Sequence, residues 1–293
     1  MKRLALQRKV LGVAASALLL ASCDQQPAGE PVMRTEIGSG EMEEIAAAPS
    51  PQPNDSTKVE EVNANSDCKP ANFEGVALTH CIADPSKHRI TTAYKDKAGK
   101  PFRSLRAYAD AIGREANNIA FAMNAGMFDK QGEPLGYYVE KSKRTVELNR
   151  GDGAGNFHMK PNGVFYGSGG TWRSTSTEWF FKTVRDRPQF GTQSGPMLVT
   201  GSNLHPEIAE NGPSRAIRNG VGVDAAGKAH FVLSEAPISF GQFARYFKDE
   251  LKVQNALYLD GNVSALWDPA TERLDVGAPI GPIIVVTKRE AGS

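Results

Sequence analysis

Apolar residues along this chain come in short runs that stop abruptly at small or polar residues. The run Ala256-Leu257-Tyr258-Leu259 ends at Asp260-Gly261. That pattern predicts a buried strand running into a turn. Ile119 to Met123 predicts a second buried strand, which delivers Asn124, and Met197 to Thr200 a third. Further strands are predicted over Phe73 to Ile82, His88 to Tyr94, Gly136 to Glu140, Gly163 to Tyr166 and Pro282 to Thr287. Asn219 to Asp224 and His230 to Ser234 flank Ala225-Ala226-Gly227-Lys228, a hairpin signal. Helical spacing occurs in three places. Ser104 caps a predicted helix over Leu105 to Ala116, with Leu105, Tyr108, Ala109, Ile112 and Ala116 on one side. Thr177 to Val184 is a short helix carrying Trp179, Phe180 and Phe181. Ser239 opens the third, where Gln242 completes a capping box and Phe243, Tyr246, Phe247 and Leu251 form one face. Strands outnumber helices, and several are hairpin-connected. The expected fold is α+β, a largely antiparallel or mixed β-sheet with a few packed helices. No repeat of roughly 20–50 residues is present.

The N-terminus follows a different pattern. Lys2, Arg3, Arg8 and Lys9 precede an apolar segment from Val10 to Leu20, too short for an ordinary membrane span. The segment closes with Leu20-Ala21-Ser22-Cys23. Residues 1–22 resemble a bacterial lipoprotein signal, cut before a cysteine that is then lipidated. An ordinary secretory signal would also suit Ala21 and Ser22, and Cys23 at the end of the box favours the lipoprotein reading. Two or more acyl chains on Cys23 give stable anchoring. Asp24 directly after it resembles an inner-membrane retention signal. Residues 23–66 hold many Pro, Ala, Glu, Ser and Asn and few large apolar residues, which predicts a disordered tether. The folded domain is expected over 67–293. The expected location is the bacterial membrane, facing the periplasm or the exterior.

Composition narrows the partners. The chain has 293 residues, of which 34 are basic and 33 acidic. That balance lacks the basic excess of a general nucleic-acid binder, and no nucleic-acid signature occurs. Setting Cys23 aside leaves Cys68 and Cys81. An even pair in an exported chain suggests a disulfide, with two reduced core thiols as the alternative.

Familiar catalytic boxes are missing. The histidines at 80, 88, 158, 205 and 230 are scattered, without metal-ligand spacing. No metal or cofactor is expected. Gly151 to Gly155 lacks the Lys-Ser/Thr of a phosphate loop. Ser194 lacks the flanking glycines of a nucleophile elbow. The remaining chemistry-bearing residues are carboxylates, arginines, amides and glycines. Asp260 leads the carboxylates, with Glu235 and Asp224 in reserve. Carboxylates suit glycosidic chemistry, one at the oxocarbenium-like centre and one moving a proton. Arg215 and Arg218 could fork onto a phosphate. Glycines let backbone N–H groups approach an anion.

Four segments, in order, resemble the phosphodiester glycosidase family. Asn124-Ala125-Gly126-Met127-Phe128 resembles its N-G-G-F-F segment. Gln193-Ser194-Gly195-Pro196-Met197 resembles the Q-S-G-P-M/L stretch of bacterial members. Arg218-Asn219-Gly220-Val221-Gly222 resembles its arginine-to-glycine segment before a hairpin. Tyr258-Leu259-Asp260-Gly261-Asn262-Val263-Ser264 resembles its L-D-G-G-G-S segment. The similarity runs from about Asn72 to Thr287 and implies a single phosphodiester glycosidase-like domain. Asn262, Val263 and Ala125 replace glycines of the family pattern, which points to a different sugar pocket.

The resemblance implies hydrolysis of a glycosyl phosphodiester at the cell envelope, breaking the sugar C1–O bond. Asp260 would stabilise or attack the anomeric carbon, or activate water. Arg218 would hold the phosphate, and Glu235 is the reserve catalytic acid. Asn124 and Gln193 would orient the sugar, Ser264 would bond beside Asp260, and Gly126, Ser194, Gly195 and Gly261 complete the substrate-binding set. The expected partners are a glycan or sugar phosphodiester and, through Cys23, the membrane. The rival expectation is a non-catalytic glycan-binding or envelope-assembly lipoprotein on the same fold, in which Asp260 is not needed.

Overall fold

In the computed structural model, residues 65–261 and 263–289 are described. The expected signal segment 1–22, Cys23 and the expected tether up to residue 64 lie outside the described residues. Ser66 is already part of the fold. It is buried, and its hydroxyl donates to Asp268 Oδ2 at 2.6 Å.

Alternation along each buried strand divides side chains between two cores. Phe121 and Met123 face the interior shared by the sheets, while Ala122 between them faces a helix. Leu257 and Leu259 likewise face the shared interior, and Ala256 and Tyr258 face the other way. Both strand faces are therefore apolar, which is why these segments read as unbroken apolar runs.

Three sheets contribute to the shared interior. A seven-stranded sheet runs in the order Cys68–Phe73, Val76–Ala83, Ala229–Ser234, Asn219–Val223, Ala256–Tyr258, Met197–Thr200, Asn203–Leu204. A five-stranded sheet has Ile119–Asn124 at its centre, between Leu266–Asp268 and Ile283–Lys288. A second five-stranded sheet contains Phe190–Ser194 and Gly163–Ser168. Phe231, Phe121 and Phe165 come one from each sheet and meet edge to face, at 5.3 and 5.6 Å between centroids. Burying each such ring contributes about 1.5–3 kcal/mol.

The outer face of each sheet carries one helix. Phe240–Arg245 continues into a π-helical turn, Tyr246–Glu250, and packs Phe243 and Phe247 on the seven-stranded sheet. Leu105–Ile112 covers the first five-stranded sheet, and Thr177–Thr183 the second. Every strand pairing among the described residues is antiparallel. The α+β expectation holds, in its antiparallel form.

Several boundaries differ from the sequence expectation. Phe73 to Ile82 is not one strand. Glu74 and Gly75 adopt positive φ and turn the chain between Cys68–Phe73 and Val76–Ala83. Cys68 and Cys81 stand directly opposite in that hairpin and are joined by a disulfide. The helix from Leu105 stops at Ile112, because Gly113 takes positive φ and a 3-10 segment follows. At the third helix, Ser239 Oγ accepts from Gln242 N at 3.1 Å. The Gln242 amide reaches Glu74 O and Arg215 instead of closing the box.

Candidate active site

The segment from Asp260 to Ala265 crosses between two sheets. It leaves the seven-stranded sheet after Ala256–Tyr258 and enters the five-stranded sheet at Leu266–Asp268. A crossing loop has no ladder of its own, so its backbone must be held by side chains. Asn124, at the end of Ile119–Asn124, holds it. The Asn124 Oδ1 accepts from Ala265 N at 2.9 Å, and its Nδ2 donates to Val263 O at 2.7 Å. Asn219, from the neighbouring sheet, donates its Nδ2 to Asn124 Oδ1 at 2.9 Å. Ser264 Oγ lies 3.4 Å from Asn219 Oδ1, Asp260 O and Ile217 O. Asp260 is 3% exposed at the start of this loop.

Asn124, Asn219, Asp260, Gly261 and Ser264 thus come together. Asn219 was not singled out by sequence reasoning, although it directly follows Arg218. The Asn124 carbonyl oxygen is filled by protein donors, so this residue clamps the loop and has at most one amide hydrogen to offer a sugar.

Arg218 is 2% exposed and departs from its expected role. Its Nε donates to Ile238 O at 2.9 Å, Nη1 to Tyr258 Oη at 3.1 Å, and Nη2 to Ser214 O at 3.1 Å. The guanidinium stacks on Phe240 at 3.6 Å from the ring centroid. No bidentate fork is left for a phosphate. Burial lowers the Arg218 pKa, and the Tyr258 contact opposes that. The cation sits behind the Tyr258 hydroxyl, which presses on Gly261. A Cβ on Gly261 would lie 1.5 Å from that oxygen. Burial pushes Tyr258 up to about 12; Arg218 works against this and Asp260 adds to it. The phenol therefore stays protonated and links the Arg218 side to the Asp260 loop.

Gln193 is likewise committed. Its Oε1 accepts from Tyr137 N and Asn149 N, each at 2.9 Å. Its Nε2 donates to Asn149 O at 2.6 Å and Thr177 Oγ1 at 3.1 Å. All four amide positions are used, so Gln193 ties three elements together and does not orient a sugar. Ser194 Oγ donates to Leu259 O from within the core. Gly126 lies against strand Phe190–Ser194, where a Cβ would meet Gln193 O at 2.1 Å. Gly195 is hemmed in by the Asn156 and Phe157 carbonyls. These four residues brace the site from behind.

Both reserve acids are held by other partners. Glu235 pairs with Arg273, Nη1 to Oε1 at 2.6 Å, and that guanidinium also holds Asp275 at 2.9 Å. Asp224 follows the far end of strand Asn219–Val223, about 16 Å along the strand from Asn219. There it bonds His230 Nε2 at 3.1 Å. Arg215, in a short bridge with Ser239, reaches Gln242.

A cavity of about 360 Å³ opens on the loop. Gly261, Val263, Ser264 and Ala265 form one wall, and Ala216, Ile217, Val276 and Ile280 much of the rest. A larger hollow of about 690 Å³, beside strand His88–Ala93, contains none of the loop residues. The chemistry points to the smaller one. The loop that begins at Asp260 brings the Ser264 hydroxyl and loop backbone to this wall, and a carboxylate at its start is suited to charge development at a bound carbon.

Comparison with known proteins agrees with the four segments. Residues 117–287 match the family model described as phosphodiester glycosidase. The uncharacterized protein YigE of Escherichia coli K12 is 37% identical over 184 residues, covering 63% of this chain and 71% of that protein. The catalytic domain of zebrafish N-acetylglucosamine-1-phosphodiester alpha-N-acetylglucosaminidase, auto-inhibited by its pro-peptide, is similar in fold. Its TM-score is 0.51 at 14% identity, covering 76% of this chain and 82% of that one.

Proposed function

Because the chain belongs to the phosphodiester glycosidase family, we propose that it hydrolyses a glycosyl phosphodiester at the cell envelope, anchored there through lipidated Cys23. The observation that carries this reading is the Asp260 loop, clamped between two sheets by Asn124 and Asn219 at the edge of a cavity. Water supplies a hydroxyl to the anomeric carbon, the C1–O bond breaks, and the phosphate leaves as a monoester. Asp260 stabilises or attacks the anomeric carbon, or activates the water. The leaving group is already acidic, so a strong general acid is not required. This fits the absence of Glu235 and Asp224 from the cluster. Ser264 and the loop backbone face the substrate. Arg218 acts at one remove, as a fixed positive charge behind Tyr258.

The test is Asp260→Asn, which keeps shape and removes charge. Removing one preorganised electrostatic group costs on the order of 100- to 1,000-fold in kcat. The variant should melt as a folded protein and release sugar that much more slowly. A folded variant with near-normal turnover would remove Asp260 from the mechanism. A wild type inert toward all sugar phosphodiesters would leave a binding module.

A further inference from the structure

Three observations converge on what the cavity beside Asp260 accepts. The first is exposure. Among the described residues the large apolar side chains left exposed are Leu135, Trp179, Phe181, Ile217 and Val276. Ile217, 44% exposed, and Val276, 82% exposed, both line this one cavity. Exposed apolar groups gathered at a concave site mark a surface that binds something apolar.

The second is the loop itself. Val263 stands where the resembled family segment has glycine, and it forms part of the cavity wall. Its backbone carbonyl is held by Asn124, so the valine is fixed in place. This chain therefore carries isopropyl surface where the family pattern would leave backbone exposed.

The third is charge. Among the described residues, no lysine, arginine or histidine lines the cavity. Its one acid, Asp275, is held by Arg273 and by the Leu266 N–H. Arg218 is shut behind Tyr258. A nucleotide-sugar would bring a second phosphate and a polar ribose to walls that offer no cation. A phosphodiester whose leaving phosphate carries a hydrocarbon brings one charge, for the loop backbone, and a chain for the walls.

Resting on the hydrolytic reading above, we propose that the substrate is a lipid-linked sugar phosphodiester. Its hydrocarbon lies on Ile217, Val263 and Val276. Each seated methylene adds about fourfold to binding. A chain with only a few methylenes in the cavity therefore gains well over tenfold relative to a methyl group.

The experiment compares methyl and octyl esters of N-acetylglucosaminyl phosphate, the octyl ester below its micelle concentration. The protein is the full chain with Cys23→Ser, so that no detergent is needed. The wild-type octyl-to-methyl ratio of kcat/KM should exceed ten. It should fall toward one in Ile217→Ser/Val276→Ser and in Val263→Gly. A wild-type ratio within twofold of one, or a high ratio that survives these substitutions, overturns the proposal while leaving the hydrolytic reading intact. If neither ester is cleaved, the hydrolytic reading fails on this sugar. Calorimetry with octyl phosphate and methyl phosphate then decides the subsite. Octyl binding at least tenfold tighter, and lost in the double variant, supports it; equal binding overturns it.

Discussion

Replacing Gln193 by leucine separates two incompatible roles for one residue. As a sugar-orienting group, Gln193 could lose its amide with little effect on folding. The structure assigns it four internal hydrogen bonds instead, to Tyr137 N, Asn149 N, Asn149 O and Thr177 Oγ1. Leucine fills similar volume but strands those partners. Tyr137 is 4% exposed, so its N–H has no access to water, whereas Asn149 is only half-buried. A fully buried stranded group costs about 1–3 kcal/mol. With a smaller penalty for each half-buried group, the total comes to about 3–5 kcal/mol. A domain of this kind is stable by only about 5–15 kcal/mol, so the loss is a large fraction. Urea unfolding of Gln193→Leu beside wild type measures it through the shift in midpoint at constant slope. A loss below about 1 kcal/mol, accompanied by a large fall in activity, would refute the bracing role and restore the sugar contact.

Other outcomes follow from the same structure. Converting Cys68 and Cys81 to serine opens a loop of 13 residues' separation and should cost about 3 kcal/mol, read by urea unfolding of the double variant. His80 is pushed down to about 4 by burial and by the neighbouring His230 ring. Its contribution to stability is therefore complete above the ordinary histidine range and lost as pH falls from about 6.5 through 4, so wild type should lose more stability over that window than His80→Phe does. Gly261→Ala should cost about 1–3 kcal/mol by forcing the Tyr258 hydroxyl away from Arg218. In a double-mutant cycle Tyr258→Phe should recover part of that loss, since the ring carbons still crowd the new Cβ, whereas strict additivity would dissociate the glycine from the tyrosine.

What the sequence revealed depended on where each segment's partners lie. Ile119 to Met123 and Ala256 to Leu259 were legible because burial of both faces makes every residue apolar. Cys68–Phe73 was not legible, because it is an edge strand with Lys69 and Pro70 exposed, so its pattern resembles a linker. The break at Glu74-Gly75 was hidden inside an otherwise apolar stretch. The strand running into the Asp260 loop was legible from an apolar run ending at a turn. The engagement of Gln193 and Arg218 was not. Tyr137 lies 56 positions from Gln193 and Ile238 lies 20 from Arg218, so no local pattern reports those bonds.

A signature segment can thus owe its residue types to the geometry of a neighbour. Asn124, Arg218 and Gln193 read as recognition groups by type, yet each spends most of its hydrogen-bonding capacity inside the protein. Asn124 and Asn219 fix one loop, entered from one sheet and left through another, that has no ladder of its own, while Arg218 holds the Tyr258 hydroxyl and Gln193 ties Tyr137, Asn149 and Thr177 together. Such fixing has a functional consequence. A displacement of about 1 Å can cost on the order of 100-fold in rate when the reacting groups must be aligned. Loss of activity on substituting one of these residues is therefore no sign that it touches substrate. The loop residues open to the cavity are Gly261, Val263 and Ser264. Of these, Val263 departs from the family pattern. The clamp from Asn124 fixes the backbone of that valine, and its side chain forms part of the cavity wall.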